Sequence, residues 1–103
     1  MGLDAWMYKT DIRAKLSDIS VDKVFAIQEL SYWRNHRELN DYMCKKYIEK
    51  GGHADNFNMS KVILNEDDLG EVLKFIEPIY YDVILWAIDI VRCGGLVYYS
   101  CWW

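Results

Sequence analysis

Two Gly-Gly pairs, at positions 51–52 and 94–95, interrupt this sequence of 103 residues where a helix-like pattern stops. Glycine adopts the left-handed backbone that ends α-helices more readily than other residues do. Before the first pair, Arg34 to Lys50 repeats apolar residues at three- and four-residue steps. Before the second pair, Tyr80 to Arg92 is apolar on nearly every side, and such a helix is expected to be mostly buried. The chain therefore contains at least two helices.

Four other segments carry the patterns of strands. They are Leu3 to Lys9, Val24 to Tyr32, Phe57 to Leu64 and Leu96 to Trp103. In Leu3 to Lys9, apolar residues alternate with Asp4, Trp6 and Tyr8, which is the period of a strand. Val24 to Tyr32 also fits a helix opened by Asp22-Lys23, and we prefer the strand. Thr10 to Val21 has no steady period, and we predict a loop with at most a short helical turn.

A further helix is predicted after the third strand. Asn65 suits the N-cap position, and the acidic residues at 66–68 suit a first helical turn. Glu77-Pro78 ends this helix, since proline lacks the amide hydrogen that a helix needs. We predict one α+β domain over residues 1–103, in the order β-β-α-β-α-α-β. About four strands form a mixed or antiparallel sheet, with two or three helices packed on one face.

Composition restricts the class of partner. Five Trp and eight Tyr are more rings than a core of this size can enclose, so we expect some of them at the surface. The net charge of −4 argues against nucleic acid as a partner. The apolar stretch Val83 to Val91 is too short to cross a membrane. Three cysteines without paired spacing predict reduced thiols and a cytoplasmic location.

The segment Tyr32-Trp33-Arg34-Asn35-His36-Arg37-Glu38-Leu39 resembles a Tyr-Trp-Arg-Lys-His-x-x-Leu motif. That motif occurs in small proteins encoded by tailed bacteriophages and prophages. The opening Met-Gly-Leu-Asp and the ending Val97 to Trp103 are similar to the ends of the same proteins. Two residues depart from that family: Asn35 stands where the motif has Lys, and Asn40 stands where a second His usually follows the motif. The family's Gly/Phe-rich segment is missing near Pro78. The resemblance implies a bacteriophage setting, within a bacterial host cytoplasm, and no particular reaction.

Arg34, His36 and Arg37 form the clearest cluster of cationic and titratable side chains. The simplest interpretation is a helix start in which Arg34 pairs with Glu38. Contact with an anionic ligand and acid–base chemistry remain open. His36, His53 and the cysteines lack the spacing of metal ligands, so we predict no metal and no cofactor. No cluster is convincing enough for us to name a catalytic residue.

The leading hypothesis is an interaction protein that binds a host or anti-phage-defence protein. The predicted binding residues are Asp4, Tyr32, Trp33, Arg34, His36, Arg37, Tyr99 and Trp102. A homodimer through the terminal strand is also considered, because an exposed edge of this composition would attract a second chain. The alternative is a small-molecule or nucleotide binder, or a weak enzyme, with Arg34 and His36 in a cleft beside Asp4. We expect binding rather than catalysis.

Overall fold

The computed structural model describes residues 2–103. Its main sheet has four strands, and the helices are interspersed between them along the chain. The strands of this sheet are β1 (Asp4–Thr10), β4 (Gln28–Arg34), β5 (Lys61–Leu64) and β6 (Leu96–Trp102). A small separate hairpin is formed by β2 (Lys15–Ser17) and β3 (Ser20–Val21). The helices are α1 (Arg37–Glu49), α2 (Glu66–Val72) and α3 (Tyr81–Arg92).

The main sheet is antiparallel throughout, with the spatial order β4-β1-β6-β5. The first and last strands of the chain are therefore its two central strands. They pair over seven residues, from Asp4 opposite Trp102 to Thr10 opposite Leu96. The predicted α+β class is confirmed, as is the order β-β-α-β-α-α-β for the strands of this sheet and the three helices.

The helices cover one face of the sheet, where the main core lies. Alternate residues of the central strands point into this core, including Met7 of β1 and Tyr99 of β6. The helices contribute the buried residues Leu39 and Met43 of α1, Leu69 and Val72 of α2, and Ile84, Ala87 and Ile88 of α3.

A second, smaller core lies on the opposite face of the sheet. The segment 11–27, which includes the β2–β3 hairpin, folds back over the part of the sheet around Ile63 and Tyr98. The amide of Ile63 donates to the carbonyl of Asp18 at 3.0 Å, and the Thr10 hydroxyl donates to the carbonyl of Ala26 at 2.8 Å. These bonds attach the segment to the sheet at two places.

Several element boundaries differ from those predicted. In Thr10 to Val21, the short helical turn is present at Ile12–Ala14, but the β2–β3 hairpin was missed. The strand predicted over Val24 to Tyr32 begins only at Gln28, because the preceding residues belong to the segment that folds back. The strand predicted over Phe57 to Leu64 begins at Lys61, since Met59 has a positive φ of 66° that an extended strand does not accommodate.

The ends of the helices follow local hydrogen bonding. Asn65 caps α2 as predicted, in a reciprocal capping box with Asp68. After Val72 the backbone bonds shift toward three-residue spacing, so α2 ends before Pro78 is reached. Gly51 and Gly94 have the predicted left-handed φ, 105° and 88°, just after α1 and α3.

One further prediction is wrong, and one open question is answered. Helix α3 is not mostly buried, because Leu85 and Trp86 are 49% and 43% exposed. Strand β6 is not an edge, since β1 and β5 occupy both of its sides. The terminal strand therefore cannot extend the sheet into a second copy of the chain. No helix within residues 2–103 has the length and apolar character needed to cross a membrane.

The buried position of Met7 gives a direct test of this fold. We expect Met7→Ala to lower the free energy of unfolding by about 2–5 kcal/mol, because it empties a fully enclosed site between sheet and helices. The matched control is Met59→Ala, at a side chain that is 68% exposed, with an expected change within about 0.5 kcal/mol. Urea denaturation measures both. Equal effects of the two substitutions would contradict the placement of β1 in the core.

Candidate functional site

The part of the sheet that neither the helices nor segment 11–27 covers carries an aromatic surface, which we call the open face. Residues that stand opposite each other in paired strands share one side of the sheet. Asp4 stands opposite both Arg34 and Trp102, while Trp6 stands opposite Tyr32 and Ser100. The open face therefore comprises Asp4, Trp6, Tyr32, Arg34, Ser100 and Trp102.

A polar cluster ties the first strand to its neighbour on this face. The Tyr32 hydroxyl donates to Asp4 Oδ1, and Arg34 Nη1 donates to the same oxygen at 3.2 Å. The hydrogen bond to Asp4 raises the pKa of Tyr32, so the phenol stays protonated as a donor. The carboxylate orients both side chains and leaves their outer surfaces free for contact.

The rings of the open face are accessible to a partner. Trp6 and Tyr32 lie with their ring centroids 5.6 Å apart, in a tilted arrangement typical of aromatic pairs. Tyr32 is 42% exposed and Trp102 is 57% exposed, whereas Trp6 is half-buried. Arg34 is exposed beside them. Tyr, Trp and Arg are the residues that concentrate binding energy in protein interfaces.

Four of the predicted binding residues lie outside this surface, namely Trp33, His36, Arg37 and Tyr99. Trp33 and Tyr99 are 2% and 0% exposed and point to the helix side of the sheet, so their placement at an exposed surface is wrong. Trp33 packs its ring against Tyr80, and the Tyr99 hydroxyl donates to Asn40 Oδ1 at 2.7 Å. Strand alternation separates Trp33 from its neighbours Tyr32 and Arg34.

His36 holds the start of α1. Its Nδ1 accepts the amide hydrogen of Leu39 at 3.2 Å, which makes His36 the N-cap of the helix. With Nδ1 accepting, the ring hydrogen lies on Nε2, which donates to Glu77 Oε1 at 2.6 Å. This hydrogen bond lowers the pKa of Glu77. Both ring nitrogens therefore have structural partners, and acid–base chemistry gains no support at this position.

The predicted ion pair between Arg34 and Glu38 is wrong. Arg34 ends β4 rather than opening α1, and its guanidinium contacts Asp4 instead. Asn35 turns the chain between the two elements with a positive φ of 57°, which asparagine tolerates better than most residues. Arg34, His36 and Arg37 border one shallow depression beside Glu77, whereas the cleft hypothesis expected Arg34 and His36 in a cleft beside Asp4, which does not line this depression.

A pocket of about 300 Å³ lies next to the open face, beneath segment 11–27. We call it the lysine pocket. Its lining residues are Tyr8, Val21, Lys23, Phe25, Ile27, Lys61, Tyr98 and Ser100. Burial lowers the pKa of the Lys61 ammonium, and the positive charge of Lys23 lowers it further. None of the ion pairs within residues 2–103 includes either lysine.

Only some of the residues that prediction missed carry a recognisable signal in the sequence. Trp6 and Tyr8 fall on the same side of the predicted first strand as Asp4, so their common face could be predicted from the sequence. Lys61 carries no such signal, because its position depends on the register between β5 and β6, which sets it opposite Ser100. Lys23 and Phe25 lie in the segment that folds back, where no periodic pattern applies.

Comparison with models of protein families, with curated proteins and with solved structures gives no match to this chain.

Replacing His36 tests its role as a cap. We expect His36→Ala to lower the free energy of unfolding by about 1 kcal/mol, within the range of roughly 0.5–2 kcal/mol for lost N-caps. His36→Asn keeps an acceptor for the Leu39 amide, and should retain most of that stability while losing the contact with Glu77. Thermal denaturation of the three proteins measures the difference. A destabilisation by Asn as large as that by Ala would show that the Glu77 contact, not the cap, dominates.

Because of Lys61, we expect the free energy of unfolding to depend on pH in the alkaline range. A lysine whose pKa is lowered on folding destabilises the native state while it is charged, and this penalty fades as pH rises toward the unfolded value of 10.5. Lys61→Met removes the penalty at every pH. We therefore expect the variant to be more stable than the wild type near pH 7, with a gap that narrows by about pH 10. Urea denaturation at both pH values measures the gap, and a widening gap would contradict the assignment.

Proposed function

We propose that this chain is a small binding protein of bacteriophage origin, and that its partner is a protein of the bacterial host or its anti-phage defence. The open face is the proposed contact surface. The observation that carries the proposal is the exposure of Tyr32 and Trp102 on a sheet face where no other element packs. The bacteriophage setting comes from the resemblance of the segment around Trp33 and Arg34.

The rim of the open face favours a protein partner over a polyanion. Asp4 and Arg34 supply both signs of charge in direct contact, at 3.2 Å. Such a mixed rim complements the mixed charge of a protein surface. A nucleic acid would require a consistently basic surface, whereas the chain carries a net charge of −4.

The energetics of the open face fit a binding surface. Each exposed ring contributes apolar area whose removal from water is favourable by about 25 cal/mol per Å². The Asp4 carboxylate already fixes Tyr32 and Arg34, so a partner would meet side chains that have lost little freedom to be ordered. A surface organised before contact keeps more of its contact energy as affinity.

The proposal predicts that affinity depends on the rings of the open face. The protein is used to capture partners from a bacterial host lysate, and each captured protein is purified and titrated against wild type and variants. We expect Trp102→Ala and Tyr32→Ala each to weaken binding by about tenfold or more, as substitutions of interface anchors do. Arg34→Ala should act in the same direction.

The matched control is Trp86→Ala, on α3 at the other side of the molecule. Trp86 is a similarly exposed tryptophan, at 43%, and its removal should leave binding unchanged. Circular dichroism and denaturation establish that every variant is folded. A captured protein whose affinity falls with Trp86→Ala and not with Trp102→Ala would place the interface on α3 and overturn the proposal.

A further inference from the structure

The lysine pocket combines two features that a single small ligand would satisfy. Its walls are mainly aromatic and aliphatic, and two ammonium groups border the same space. The volume of about 300 Å³ is at the lower end of the roughly 300–1,000 Å³ of small-molecule sites. This volume suits a ligand with one ring system and a short polar group.

The two lysines supply uncompensated positive charge. Lys61 extends from β5 opposite Ser100 and is half-buried, and Lys23 borders the pocket from the segment that folds over the sheet. Within the described chain, neither ammonium lies within ion-pair distance of a carboxylate. Holding a desolvated cation near a like charge is unfavourable unless an anion offsets it. An anionic group between the two lysines would provide that offset.

The aromatic walls supply the second requirement. The partly exposed rings of Tyr8 and Phe25 border the pocket. Tyr98, which is 3% exposed, supports Tyr8 with its ring centroid 5.3 Å away. Planar rings of this kind stack on heteroaromatic bases without selecting one base strongly. Inorganic phosphate would leave these rings unused, and an uncharged aromatic molecule would leave the lysines uncompensated.

We propose that the lysine pocket binds a mononucleotide, with its base against Tyr8 and Phe25 and its phosphate between Lys23 and Lys61. This site is separate from the Arg34 and His36 depression and does not depend on the partner protein proposed above. The size of the pocket favours one nucleotide over a dinucleotide.

Isothermal titration of the full chain tests the proposal with defined probes. The probes are AMP, GMP, CMP and UMP, with adenosine and guanosine as probes lacking phosphate and pyrophosphate as a probe lacking a base. We expect at least one nucleotide to bind with 1:1 stoichiometry. Because both halves of the ligand contribute, each partial probe should bind about tenfold or more weakly than that nucleotide.

Variants then locate the site. Lys61→Met and Lys23→Ala should each weaken nucleotide binding by about tenfold, since each removes a charge-assisted contact to phosphate. Lys45→Ala, an exposed lysine on α1 outside the ion pairs, is the matched control and should bind as wild type does. Both variants are expected to fold, for different reasons. Lys61→Met removes a cation that has no ion-pair partner, and Lys23→Ala changes an exposed side chain.

Any of three results would overturn the proposal. The first is the absence of binding by every nucleotide at concentrations up to about 1 mM, where even a weak specific site is occupied. The second is nucleotide binding that both lysine variants leave unchanged, which would place the ligand elsewhere. Pyrophosphate binding as tightly as the best nucleotide would also overturn it, because the aromatic walls would then contribute nothing.

Discussion

The antiparallel pairing of the first strand with the last is the constraint on which the rest of the molecule depends. It sets Asp4 opposite Trp102 and Thr10 opposite Leu96, and so joins the two ends of the sequence at the centre of the sheet. Because strand side chains alternate, this single register assigns every residue of both strands to one face. A shift by one residue would exchange Met7 and Tyr99 with Trp6 and Ser100, exposing the core and burying the open face.

The open face follows from where the connections run. All three helices pack on one side of the sheet, so the other side depends on segment 11–27 for cover. That segment reaches the rows around Tyr98 and Ile63 and leaves the rows around Trp6 and Asp4 exposed. The exposure of Tyr32 and Trp102 is therefore a consequence of topology. It coexists with a well-filled core on the opposite face, so it does not reflect a shortage of apolar residues.

Local features of this fold could be predicted from the sequence, whereas features that depend on register could not. Asn65 and Gly94 were identifiable because capping and helix termination depend on residues within one turn. Trp33 and Trp102 look equivalent in the sequence, since both lie in aromatic strand segments. Trp33 is buried and Trp102 is exposed because the helices cover only one side of the sheet. Which side they cover depends on the whole chain.

The roles of His36 and Lys61 were beyond sequence analysis for the same reason. The interaction of His36 with Glu77 joins residues 41 positions apart, and nothing near either residue predicts the contact. Arg34 was assigned to a helix because its neighbours have helical spacing, although the backbone turns at Asn35 before α1 begins. In each case the contact that a side chain makes depends on residues far away in the sequence, which the local pattern does not reveal.

One row of the sheet connects the open face to the lysine pocket. Tyr32, Trp6, Ser100 and Lys61 stand opposite one another on four successive strands. Trp6 stands two strands from Lys61, a separation of about 10 Å between strand backbones, which is comparable to the Debye length of about 8 Å at physiological salt. An anion at Lys61 would therefore change the electrostatic potential beside this ring only weakly. Coupling between two binding sites is reciprocal. If a ligand of the pocket changes the affinity of the open face for its partner, the partner changes the affinity of the pocket for that ligand by the same factor. The two surfaces are adjacent parts of one sheet face. The affinity at each should therefore be measured with the other surface both empty and occupied.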